Sequence, residues 1–125
     1  MPLYHKLYLV VFTLASSNKR VYKIGYHRGS DISNRFAREL QSGTITDFRI
    51  WLSVWVPADR LETAESECFA EIVRRFGGYR GKFHNFWSSE KIGGITEMRE
   101  YDLTECRYAR SMLLRKGYRY LPNQT

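Results

Sequence analysis

Leu7-Tyr8-Leu9-Val10-Val11-Phe12-Thr13-Leu14 is an apolar run rich in β-branched and aromatic residues, the pattern of a buried strand. Ala15 to Arg20 interrupts it with turn residues, and Val21 to Tyr26 resumes the extended character, so the two segments predict a hairpin. Gly25 is expected to end the second strand at a place where a Cβ does not fit. Ser30 or Asp31 can then cap a helix whose inner side carries Ile32, Phe36 and Leu40, with Gly43 just past its end. Phe48 to Val56 predicts a third strand, stopped by Pro57. A second helix follows from about Pro57 to Phe76 and closes at Gly77-Gly78. Beyond the glycine- and aromatic-rich stretch Tyr79 to Trp87, Thr96 to Tyr101 suits a short strand. A last helix runs from Leu103-Thr104 to about Lys116, with Gly117 as its stop. This order predicts an α/β (α+β) domain built on a small central three-stranded, mainly antiparallel sheet flanked by helices.

Composition narrows the class. A chain of 125 residues allows one domain and excludes barrel enzymes, two-domain dehydrogenases and complete protein kinases. With 43% hydrophobic and 15% aromatic residues it can bury a continuous core, which a disordered tail cannot. No apolar run reaches the ~18–20 residues of a membrane-spanning helix, and Met1-Pro2-Leu3-Tyr4-His5-Lys6 lacks a cleavable signal pattern. Cys68 and Cys106 lie far apart and inside predicted helices, which is neither a disulfide framework nor a zinc-ligand spacing. The expectation is a protein of the cytoplasm, not secreted, with two buried thiols and no membrane partner. Charge then points outward: 20 Lys+Arg against 13 Asp+Glu give +7, which favours an acidic partner, nucleic acid foremost.

Several residues stand out against this pattern. On the second helix Leu61, Cys68, Ile72 and Phe76 form an apolar stripe, and Glu65 falls within it while Glu67, Glu71 and Arg74 take the other side. A carboxylate facing a core needs a cation, a metal or a donor, so Glu65 is a buried partner of an arginine, a groove-edge residue that bends away to water, or a functional group. Arg35 sits between Ile32 and Phe36, near the core edge of the first helix, where it can pair with Glu39 or meet an anion. Tyr8 and Lys23 lie near the ends of adjacent strands, placed to flank a phosphate. The tail helix carries Arg107, Arg110, Arg115 and Lys116, with Arg119 after it, around an apolar side of Cys106, Ala109 and Leu113.

Lys6-Leu7-Tyr8, then Lys23-Ile24-Gly25, then Arg35 in a helix and Glu65 in a later helix resemble the GIY-YIG nuclease superfamily. The nearer likeness is to a phage- and virus-associated branch whose second motif is Lys-Ile-Gly. There the arginine stands in an Arg-x-x-x-Leu context, close to Arg35-Phe36-Ala37-Arg38-Glu39-Leu40. Ala64-Glu65 resembles the start of that branch's glutamate helix, and Phe83 to Trp87 its closing aromatic motif. Lys6 replaces the first glycine, Lys23 replaces the tyrosine of the second motif, and His27 is the candidate for an additional Tyr or His. The resemblance spans Leu7 to Trp87 and implies a nuclease-like domain over 1–90, with 91–125 as a strand–helix extension packed on it.

It further implies a small endonuclease that hydrolyses DNA phosphodiesters with Mg²⁺ or Mn²⁺. Glu65 would hold the metal, Arg35 would meet charge on the phosphate, and Tyr8 would position or activate water beside Lys23, with His27 assisting. Arg20, Arg28, Arg38, Arg80, Lys82 and Asn85 are the candidate nucleic-acid contacts; Arg80 to Trp87 interleaves cations with aromatics. The competing readings are a catalytically weak or inactive module of this fold that binds nucleic acid or a host protein, and a basic α/β protein that binds RNA without catalysis. The oligomeric expectation is a monomer or homodimer.

Overall fold

The structure is a computed structural model that describes residues 3–28, 32–77 and 98–117, apart from the side chains of 33–35. Strand β1 (Tyr4–Leu14) and strand β2 (Arg20–His27) form the expected hairpin. Helix α1 (Ile32–Ser42) follows, and Gly43, at φ 79°, supplies the left-handed residue that ends it. Strand β3 (Ile45–Pro57) leads through one 3₁₀ turn (Ala58–Arg60) into helix α2 (Leu61–Phe76). Strand β4 (Met98–Glu100) and helix α3 (Leu103–Lys116) complete the described chain.

The sheet is antiparallel throughout and has four strands in the order β3-β1-β2-β4, not three. The added strand is Met98–Glu100, which pairs with Val21–Lys23. Three residues carry too little alternation to place a strand in a sheet; backbone pairing places it. β2 also runs two residues past Gly25, and α2 begins at Leu61 because β3 continues through Pro57.

Alternation along the strands sorts the core into two layers. On one face Leu7, Leu9, Val11, Tyr22 and Ile24 pack against Leu61, Ala64, Cys68 and Ile72 of α2 and Cys106, Ala109, Met112 and Leu113 of α3. On the other, Tyr8, Val10, Phe12, Leu14 and Val21 pack against Ile32 and Phe36 of α1. The last segment is thus part of the same core. Gly117 lies so close to β3 that a Cβ there would come within 2.3 Å of the Val54 Cβ.

Two helix faces differ from the sequence expectation. In α1 Leu40 is 39% exposed while Glu39 is buried, so the stripe turns after Phe36. In α2 the stripe passes through Ala64, leaving Glu65 half-buried at its flank. Glu67 and Glu71 do not face open solvent alone: Lys116 of α3 pairs with Glu67, and Tyr108 of α3 donates to Glu71, which also pairs with Arg74.

Candidate functional site

Tyr8 and Gly25 are direct cross-strand partners, and their close fit organises the site. The Tyr8 phenol lies flat across Gly25: a Cβ there would stand 2.6 Å from the hydroxyl oxygen and 2.8 Å from the ring carbon that bears it. Phe36 of α1 holds the other side of the ring edge-on, at 6.0 Å between centroids and 80° between planes. Lys23 is two residues before Gly25 and therefore on the same face. Tyr8 is 1% exposed and Lys23 5%. The two buried side chains therefore share one face on neighbouring strands.

Toward the open end of this face the register adds Lys6 and His27, directly opposite one another, and on β3 Ser53 beside Tyr8 and Trp55 beside Lys6. These four are half-buried. The Lys6 ammonium lies 5.0 Å from the Trp55 ring centroid, a cation–π contact that fixes it at the rim. Trp55 was not singled out in the sequence. The signal was there in the period-two alternation of Ser53 and Trp55, but it needs the β1–β3 register to be read. Arg35 belongs to the first turn of α1, one residue before the Phe36 that touches Tyr8; its side chain lies outside the described residues.

Glu65 stands on α2, which covers the opposite face of the sheet. One place where the two layers can approach each other is the outer edge of β2. β4 covers Val21–Lys23 and stops, so among the described residues Ile24–His27 has no strand on its outer side. Glu62 marks the place: its carboxylate accepts from the Tyr26 hydroxyl and from Arg28, both at 3.4 Å, which sets the first turn of α2 beside this open half of β2. Glu65 follows one turn later. A single carboxylate fits Mg²⁺ or Mn²⁺, ions that keep most of their water and need one or two such ligands. Among the described residues no group of three His, Cys, Asp or Glu is placed for a metal that demands more protein ligands.

The proposed nucleic-acid contacts separate. Arg28 is at the open end of β2, stacked 5.5 Å from the Tyr26 ring and paired with Glu62. Arg20 is at the other end of the same strand, roughly 26 Å away at ~3.3 Å per residue, with its guanidinium 4.5 Å from the Tyr101 ring. Arg38 is exposed on α1. Arg80, Lys82 and Asn85, with the aromatic stretch around them, lie outside the described residues, as do Ser30, Asp31 and Arg119. A groove of about 530 Å³ between α2 and α3 lies elsewhere; of its charged lining, Glu67 pairs with Lys116 and Glu71 with Arg74, and Arg115 adds a further cation.

Behind the site, a buried polar network ties four elements together. Glu105 of α3 accepts from the Tyr22 hydroxyl at 2.7 Å and from Arg99 Nε at 2.9 Å, and Arg99 also donates to the Gly77 carbonyl at the end of α2. Burial, reinforced by the bond to Glu105, drives the Tyr22 phenol far above its ordinary range and keeps it neutral. Tyr22 faces α2 and α3, on the opposite face of the sheet from Tyr8 and Lys23. No family model, no curated protein and no solved structure matches the chain, so a functional reading rests on these residues themselves.

Proposed function

We propose that the chain is a small divalent-metal-dependent endonuclease that hydrolyses DNA phosphodiesters at the open half of β2, in a GIY-YIG-like arrangement. The observation that carries this reading is the Tyr8–Gly25 pair. The glycine of Lys-Ile-Gly is needed because the phenol of Lys-Leu-Tyr occupies its side-chain space. That is a reason for both motifs to stand at this register, and it brings Lys23, Lys6 and His27 to the same face.

Each residue then has a task. Tyr8 positions the attacking water, or takes its proton, through the phenolic oxygen, and the Lys23 ammonium lowers the cost of negative charge there. Arg35, in the helix turn beside Tyr8, meets the phosphate oxygens with a planar pair of donors as charge builds on them. Lys6 and His27 hold the substrate backbone at the rim, and Trp55 offers an apolar surface for a sugar or base. Glu65 would hold Mg²⁺ or Mn²⁺, which when bound activates water and stabilises the leaving oxygen. The substrate is DNA, bound through its phosphates by the basic excess.

Incubation with supercoiled plasmid in Mg²⁺, Mn²⁺ or chelator tests the reading. Nicking or linearisation is expected with metal alone, reduced in Glu65→Gln to the level seen with chelator. Cleavage that persists in Glu65→Gln would remove that carboxylate from the metal site. A second reading, a module of this fold that binds nucleic acid or a host protein without efficient cleavage, is favoured by the burial of Tyr8 and Lys23. Its signature is retarded DNA on a gel with no cut product. Binding that survives chelation and prefers RNA would point instead to an RNA-binding role.

A further inference from the structure

β3 is the outermost strand of the sheet, and among the described residues nothing pairs with its outer side. It is 13 residues long. Edge strands are normally shortened, bent or interrupted by proline so that they do not template a second chain. Here the proline is Pro57, at the very end, and the register with β1 slips at two places, at Trp51 between Leu52 and Ile50 and at Thr46 between Asp47 and Ile45. Between these two bulges Asp47–Ile50 pairs regularly with β1. Thr46, Asp47, Arg49 and Ile50 are all exposed, and Ile50 leaves 38% of its surface in water.

We infer that the stretch of β3 centred on Phe48, between its two bulges, pairs antiparallel with the same stretch of a second copy, about a twofold axis at Phe48 normal to the sheet, to give a continuous eight-stranded sheet. The charges select that register. With Phe48 on the axis, Asp47 of each copy stands directly opposite Arg49 of the other, and the pair occurs twice. Moving the axis by one residue either way sets Asp47 against Asp47 or Arg49 against Arg49, and both are repulsive. Neither side chain has an ion-pair partner among the described residues, so both are available. The two Phe48 side chains meet on the face that α1 covers. The inference stands independently of the nuclease reading.

Sedimentation of the full chain over a concentration series tests it. The weight-average mass is expected to rise from 14.8 kDa towards twice that value. Asp47→Arg and Arg49→Asp, each alone, are expected to move the midpoint to about tenfold higher concentration, since each places two like-charge pairs at the axis. The double exchange Asp47→Arg/Arg49→Asp restores the midpoint. The single changes alter net charge in opposite directions, so a loss in both cannot come from general repulsion between two copies of charge +7. Circular dichroism of each variant confirms that it is folded. A mass that stays at the monomer value, a midpoint indifferent to the single changes, or a double exchange as weak as the singles would overturn the inference.

Discussion

A hydrogen atom on Gly25 is all that the Tyr8 ring leaves room for. Gly25→Ala forces the phenol aside, and overpacking of this kind costs about 1–3 kcal/mol. Urea denaturation of Gly25→Ala is expected to show that loss, and the same substitution made in a Tyr8→Ala background is expected to cost little relative to Tyr8→Ala alone. An equal penalty in the presence and absence of the Tyr8 ring would mean that the strain arises from another neighbour. The constraint was half legible in the sequence. A glycine in an extended run announces a close approach, but the atom approaching it belongs to a residue 17 positions earlier. The same holds for Glu65. Helical spacing places it near the stripe, yet only the packed helix reveals that Ala64 takes the inward position and Glu65 its flank.

At the scale of elements, the Arg99–Glu105 pair holds β4, α3, β2 and the end of α2 in one arrangement. Arg99 is buried, and among the described residues its Nη2 has no hydrogen-bond partner, so its charge rests heavily on Glu105. Glu105→Gln leaves the guanidinium without a counter-charge and is expected to cost about 3–5 kcal/mol in urea unfolding. Combined with Arg99→Met the loss is expected to be smaller than the sum of the two single losses; strict additivity would show that the pair acts as two independent groups. Sequence pattern suggested both the short strand and the final helix, with Gly117 as its stop; the Asp102 cap at its start is seen only in the structure. What it missed was their union. Arg99 and Glu105 look like surface charges in a basic segment, and become core residues only because β4 docks on β2.

Across the whole molecule, ionisable groups buried in the neutral form make the fold sensitive to alkali. Burial pushes the Cys68 thiol from 9.0 up to about 11 and the Cys106 thiol from 9.0 up to about 12. Both folded values lie above the unfolded ones, so the native state holds these protons longer. Stability from this source is complete below about pH 9 and falls as pH rises towards the folded values. At pH 10 each thiol is expected to cost about 1 kcal/mol relative to pH 8. Urea midpoints at the two pH values measure the drop, and Cys106→Ala is expected to make it shallower. No change between the variants would exclude the thiol as its source.

Hydrophobic alternation and helical spacing by themselves determined the hairpin, the long third strand, the three described helices and the burial of both cysteines, because each depends on residues close in the chain. Charge count determined the preference for an acidic partner as an expectation. Tertiary structure alone decided that the sheet has a fourth strand, that Lys6, Lys23, His27 and Trp55 share a face with Tyr8, and that α2 lies across the other face. It also decided that, among the described residues, no strand pairs with Ile24–His27 of β2 on its outer side or with the outer side of β3. Those facts are matters of register and of which strand edge is left uncovered. They are set by backbone pairing between distant segments, and backbone groups are the same in every residue.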